Sequence, residues 1–383
     1  MQDKYAVGLM SGTSLDGVDA VLVKLNGFGT DTQCEVIEFT SLDISDDLRS
    51  RILKASHPET SSVDLICSLN FELGDIWSQA VQKVLTKADF KGELDFVASH
   101  GQTIYHMPKA EKPFYRSTLQ IGDPSQIAYD HHTQVVFNFR PMDMIAGGDG
   151  APLVPYTEFI LYSRKDESVL LQNIGGIGNV TIIPKNCGLE DVTAFDTGPG
   201  NMMMNAATAH FYNEPYDKDA QYGFKGQLIP ELYDELINHP YLKLLPPKST
   251  GREMFGEDVV ADICKRFTEP NDVIYTLTKF TAFTIADAYK KYVFDKLDID
   301  QIILGGGGAY NPLLIKELKE MLPDHSVVTQ EDLGFSSDAK EAVAFAILGN
   351  ETLNNVASNV PSATGSDRRV ILGQICPNPI QVF

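Results

Sequence analysis

Cysteine is scarce and scattered in this sequence. Five occur, at Cys34, Cys67, Cys187, Cys264 and Cys376, with no C-x-x-C pair among them. Neither a disulfide framework nor a zinc site is expected from an odd count at such long spacing, and a reducing compartment fits it best. Basic residues are outnumbered: 31 Lys and Arg against 52 Asp and Glu leave a formal net charge of -21, and no stretch gathers a cationic face. Nucleic acid is therefore not an expected partner. An anionic small molecule would have to be held locally, by backbone N–H groups, a few cations or a metal; the acidity itself requires no more than solubility. No run approaches the ~20 apolar residues of a membrane span. Met1-Gln2-Asp3-Lys4-Tyr5 has neither a basic n-region nor a long apolar h-region. No signal peptide is expected, and the cytoplasm is the expected location.

What is present is an alternation of strand and helix patterns over 383 residues, a length suited to two or three domains of ~100–200 residues. Tyr5–Met10 and Val18–Leu25 read as a hairpin around a Gly, Ser, Thr and Asp turn, with a further strand at Cys34–Phe39. Leu69, Leu73, Ile76, Ala80 and Val84 recur at helical spacing and predict a long helix over Ser62–Ala88. Strands follow at Asp95–Ser99 and Gln134–Phe139. The pattern then restarts: Val169–Asn173, a glycine turn, Asn179–Ile183, a strand at Thr193–Phe195, a helix over Asp272–Phe294, a strand at Gln301–Leu304, a helix over Asp338–Leu348 and a last strand at Val370–Leu372. Two α/β halves, each opening on strand, glycine turn, strand, are expected to flank a nucleotide. The boundary is expected near Arg140–Ala151, giving one domain of residues 1–140 plus 362–383 and a second of residues 141–361.

Several loops carry chemistry. Gly8–Asp19 combines glycines, which let a backbone approach phosphate oxygens, with the hydroxyls of Thr13 and Ser14 and with Asp16 and Asp19, which could orient Mg²⁺ through its waters. It lacks the G-x-x-x-x-G-K-[ST] pattern and is no P-loop, and a plain hairpin turn uses the same residue types. The turn at Gly175-Gly176-Ile177-Gly178 is followed by a strand, so the dinucleotide-binding context fails. Asp196, in Phe195-Asp196-Thr197-Gly198-Pro199-Gly200-Asn201, suits a general base at a strand end or the N-cap of a following helix. Gly305-Gly306-Gly307-Gly308 lets a flat ring or a ribose lie against the backbone, or packs a strand on a helix. His100, Gln102 and Arg140 stand at strand ends where polar groups can bind a sugar or its carboxylate.

Taken together, Gly12-Thr13-Ser14-x-Asp16-Gly17-x-Asp19, His100-Gly101-Gln102-Thr103, Asn138-Phe139-Arg140, Phe195–Asn201, Gly305–Gly308 with Asn311-Pro312, Asp338–Ala342 and Pro361–Gly365 resemble the anhydro-N-acetylmuramic acid kinase family, from about Gly8 to Pro377. The resemblance implies an actin-, Hsp70- and hexokinase-like fold, with two RNase H-like domains flanking an ATP cleft. It implies conversion of 1,6-anhydro-N-acetylmuramic acid, ATP and water into N-acetylmuramic acid 6-phosphate and ADP, in peptidoglycan recycling. Gly12, Thr13, Ser14, Leu15, Asp16, Gly17, Val18 and Asp19 would then form the ATP phosphate loop. Gly175 and Gly176 would close on the same phosphates, and Gly305, Gly306, Gly307 and Asn311 would take the nucleoside. Asp196 would activate the water, and His100, Gln102, Arg140 and Glu341 would contact the sugar. Mg²⁺ is expected with ATP, its ligands left open, and relatives suggest a homodimer. The alternatives are a kinase for a free amino sugar and an actin- or Hsp70-like ATPase machine.

Overall fold

The structure, a computed structural model, describes residues 3–12, 15, 17–110, 112–246, 248, 250–334 and 337–380, with the backbone alone at Arg252 and Glu253. The apolar run after Tyr5 forms strand β1 (Lys4–Met10), in which Ala6, Val7 and Leu9 are fully buried, as in a strand covered on both faces. β2 (Gly17–Asn26) returns antiparallel to it, and β3 (Gln33–Asp43) completes a meander. On the other side of β1, β4 (Phe96–Ser99) pairs in parallel. A separate hairpin, β5 (Gln102–Met107) and β6 (Ser117–Ile121), follows. β7 (Gln134–Phe137) then extends the main sheet in parallel with β4.

Side-chain alternation along β1 decides what covers each face. Val7 and Leu9 pack with Leu69, Leu73, Trp77, Ala80 and Val84 of the helix Val63–Lys87, which bears out the helical period read from the sequence. Gly8 points the other way, at the helix Lys340–Leu353. A Cβ on Gly8 would lie 2.0 Å from the Ala342 carbonyl oxygen, so this helix sits as close as glycine allows.

The second unit repeats the plan. β8 (Val169–Ile174), β9 (Ile177–Ile183) and β10 (Thr193–Pro199) form an antiparallel meander. β11 (Gln301–Gly305) joins β8 in parallel, and β12 (Ser326–Thr329) joins β11. Each sheet thus runs third, second, first, fourth, fifth strand, the two α/β units of one RNase H-like plan that the resemblance implies. The helix Pro270–Tyr292 packs on the second sheet through Ala282, Ile285, Ala286 and Tyr289.

The compact units comprise Met1–Leu161 with Asp338–Phe383, and Tyr162–Ser337. The first is larger than the sequence boundary makes it, for a physical reason. Asp143, fully buried, accepts from the Gly150 N–H at 2.8 Å, the Asn359 amide at 2.8 Å and the Thr364 hydroxyl at 2.8 Å. Residues 141–161 and 338–361 are tied by these bonds, and by a Lys340–Glu158 ion pair at 2.5 Å, into the first unit. Two strands also end elsewhere than expected. β7 stops at Phe137 because Asn138 turns left-handed at φ 54. Val370–Leu372 is no strand: the Val370 N–H donates to Asn359 Oδ1 and its carbonyl accepts from Ser358 N. Pairing with β7 begins only at Gln374.

Removing the Asp143 carboxylate leaves buried donors without an acceptor. Asp143→Ala should lower unfolding stability by about 2–3 kcal/mol in urea titration; an unchanged transition would contradict the role given to this carboxylate.

Candidate active site

In the first unit, the parallel pairing of Leu9 with Ser99 brings the chain leaving β1 and the chain leaving β4 to one sheet edge. The Ser11 hydroxyl donates to Gln102 Oε1 at 2.7 Å inside the protein, so the β1–β2 turn and the His100–Thr103 segment are coupled. Gly12 and Leu15 lie in that turn, with Leu15 N bonded to the Gly12 carbonyl, Leu15 at φ 57 and its carbonyl accepting from Arg49. Gly17, Val18 and Asp19 are the first residues of β2. Thr13, Ser14 and Asp16 lie outside the described residues.

His100 is buried against Phe345, ring centroids 4.8 Å apart. Arg140 Nε donates to His100 Nε2 at 3.1 Å, and Arg140 Nη1 donates to the Gly150 carbonyl at 2.7 Å. A ring nitrogen that accepts from a guanidinium cannot carry the proton, so the neutral ring holds its hydrogen on Nδ1. Burial, reinforced by the Arg140 cation, pushes the His100 pKa down to about 3. Among the described residues neither the buried Nδ1 nor the neighbouring Ser99 hydroxyl has a hydrogen-bond partner. Unsatisfied buried groups of this kind call for a ligand atom or a water. Glu341 opens the helix Lys340–Leu353, exposed, with the charges of Lys340 and Arg140 close by.

In the second unit, three loops meet. The Gly175 carbonyl accepts from Asn201 N and the Gly176 carbonyl from Gly200 N. Among the described residues neither Gly175 N–H nor Gly176 N–H has a protein acceptor. A Cβ would meet nothing nearer than 3.7 Å at Gly175 and 3.5 Å at Gly176, so packing does not require glycine there. The glycine run is different. Gly306 sits at φ 81, and Cβ atoms at Gly305 and Gly308 would fall 2.5 Å from Gln330 Oε1 and 2.2 Å from Ile174 Cγ2. The fold alone demands these three, and Gly307 is the one with more room. Asn311 caps the helix Pro312–Met321, its Oδ1 accepting from Leu313 N and Leu314 N, so that oxygen is already committed.

Asp196 lies within β10 rather than at a helix N-cap. A bulge at Thr197 breaks the register between Asp196 and Gly198, the kind of irregularity that re-aims a side chain. The bulge is locked from behind: the Tyr289 hydroxyl donates to Gln172 Oε1 at 2.7 Å, and Gln172 Nε2 donates to Thr197 Oγ1 at 3.2 Å. Asp196 Oδ2 accepts from Thr250 N at 2.9 Å. No protein donor reaches Oδ1 among the described residues, which leaves that oxygen for solvent or ligand. Burial raises the Asp196 carboxyl above its ordinary value, while the Thr250 N–H and the Lys248 cation pull it back. Half-buried carboxyls held in this way suit proton abstraction. Ser11, Gln172, Lys248 and Thr250 escape sequence reasoning; the one signal for the last two is the run Pro246-Pro247-Lys248-Ser249-Thr250-Gly251.

The chain matches the profile of the family described as "Anhydro-N-acetylmuramic acid kinase" over residues 4–378. It is 53% identical over 378 residues to an anhydro-N-acetylmuramic acid kinase of Clostridioides difficile strain 630, covering 98% of this chain and 99% of that one. It is 51% identical over 375 residues to one of Francisella tularensis subsp. novicida strain U112, covering 97% and 98%.

The neutral His100 makes a pH prediction. The unfolded chain takes up a proton near the ordinary 6.5, whereas folded His100 does so near 3. Its contribution to stability is therefore intact above about 6.5 and falls as pH drops toward 3. His100→Gln should flatten that part of the stability-versus-pH curve; an identical slope in the variant would refute the buried neutral ring.

Proposed function

The chain belongs to the anhydro-N-acetylmuramic acid kinase family, and on that footing we propose that it opens 1,6-anhydro-N-acetylmuramic acid with water and phosphorylates O6 from ATP, giving N-acetylmuramic acid 6-phosphate and ADP in peptidoglycan recycling. The observation that carries the reading is the Asp196 carboxylate: one oxygen pinned by a backbone N–H, the other with no donor among the described residues, and the carboxyl raised by burial.

An anhydro sugar has no free 6-hydroxyl, because O6 is bonded to C1. Asp196 takes a proton from water, and the water oxygen bonds to C1. The C1–O6 bond breaks, O6 keeps the electron pair and bonds to the γ-phosphorus, and ADP leaves. Such a reaction depends chiefly on positioning and charge neutralisation. The N–H groups of Gly175 and Gly176, which have no acceptor among the described residues, suit phosphate oxygens, and in the first unit Gly12, Leu15, Gly17, Val18 and Asp19 are likewise assigned to ATP phosphate. Gly305, Gly306, Gly307 and Asn311 are assigned to the nucleoside, Gly307 having the room for it.

The sugar falls to His100, Gln102, Arg140 and Glu341. Arg140 uses its Nε–H on His100 and one Nη1–H on Gly150, so it would meet the lactyl carboxylate through its remaining Nη1 and Nη2 hydrogens. Mg²⁺ would neutralise phosphate charge. Among the described residues no three His, Cys, Asp or Glu side chains converge on a metal position. Such an ion would be held mainly by phosphate and water oxygens, with Asp16, Asp19 and Asp196 as the candidate carboxylates. The reading includes the cytoplasm, in keeping with five unpaired cysteines, and a homodimer. No helix among the described residues is long and apolar enough to cross a membrane.

Asp196→Asn should bind ATP normally and lose turnover by ~10² or more; near-normal turnover in the purified variant removes Asp196 as the base. The intact protein should release ADP with the anhydro sugar and not with free N-acetylmuramic acid or N-acetylglucosamine. The reverse preference would establish the free-sugar kinase instead.

A further inference from the structure

The segment that pins Asp196 is itself held by an unusual residue. Lys248 is 9% exposed, and among the described residues no carboxylate lies within ion-pair distance of its ammonium. Asp287, the nearby acid on the helix Pro270–Tyr292, is paired with Lys291 at 2.7 Å. The Lys248 ammonium rests instead on two aromatic faces, 4.5 Å from the Tyr241 ring centroid and 5.3 Å from that of Tyr292. Burying an ammonium without a counter-ion is costly, and the two ring faces offset only part of that cost. A loop with no further task would be better served here by an apolar side chain.

The bonds around Lys248 show what the seat accomplishes. Its carbonyl accepts from Asp196 N at 3.0 Å. The Tyr241 hydroxyl donates to the Asp196 carbonyl at 2.7 Å. The Tyr292 hydroxyl donates to the Leu244 carbonyl at 2.9 Å. Two residues beyond Lys248, Thr250 N donates to Asp196 Oδ2. Leu244 and Leu245 are exposed, so beyond the buried Tyr241 and Leu242 the described residues leading to Lys248 have little apolar anchorage. The Lys248 ammonium thus lies between Tyr241 and Tyr292, two residues before the Thr250 N–H.

We propose that Lys248 is a positioning residue for the kinase reaction: seated between Tyr241 and Tyr292, it holds the chain at Lys248 and Thr250 so that Thr250 N–H fixes Asp196 Oδ2 and leaves Oδ1 aimed at the attacking water. The proposal rests on Asp196 being the base.

Lys248→Met should lower kcat by about 10- to 100-fold, the scale of an ångström of misplacement at a reacting group, with KM for ATP and for the anhydro sugar unchanged. Lys248→Arg should restore most of the loss, because a guanidinium also seats on aromatic faces. A lysine that served stability alone would lower the melting temperature without dividing kcat from KM. Tyr292→Phe provides a gentler variant: it keeps the ring and loses the bond to Leu244, and kcat should fall by about 3- to 10-fold at unchanged KM. Wild-type kcat in Lys248→Met, or in Tyr292→Phe should the methionine variant not fold, overturns the proposal while an inactive Asp196→Asn keeps the base. Near-wild-type turnover in Asp196→Asn overturns both.

Discussion

One backbone hydrogen bond, from Thr250 N to Asp196 Oδ2, decides what the second unit can do. A carboxylate on a central meander strand would ordinarily be free to rotate, sharing both oxygens with solvent. Here the Thr197 bulge re-aims it, Gln172 and Tyr289 lock the bulge from behind, and Thr250 takes one oxygen. Burial raises the carboxyl above its ordinary value, and the Thr250 N–H and the Lys248 cation pull it back.

The first unit solves a different problem, that of presenting charge without letting it wander. Arg140 is tied at two of its three nitrogens, and His100, forced neutral by that same contact, is rigid against Phe345. Both are held by the fold itself, so under the proposed function little would be lost in ordering them on binding. The close seat of the helix Lys340–Leu353 on Gly8 sets Glu341 beside them. Glycine at position 8 is in this sense part of the site although it touches no substrate.

Local patterns were legible in the sequence; long-range ties were not. The helix Val63–Lys87 announces itself through Leu69, Leu73, Ala80 and Val84, and both glycine hairpins stand where turn residues place them. The first unit's true extent is invisible, because the residues that answer Asp143 stand 216 and 221 positions later. The glycine run invites a ligand reading, yet Gln330 and Ile174 require three of its members, and neither residue is near it in sequence. Asp196 could be picked out by its loop. Its partners could not, since nothing in the sequence shows that Lys248 and Thr250 return to the strand.

The coupled opening and phosphorylation is tested most directly by running the reaction in heavy-oxygen water and locating the label by mass spectrometry before the anomeric hydroxyl exchanges. Heavy oxygen at C1, with an unlabelled phosphate on O6, is the expected product. Label in the phosphate, or a C1 oxygen that carries none from the start, would contradict attack of water on the anhydro bridge.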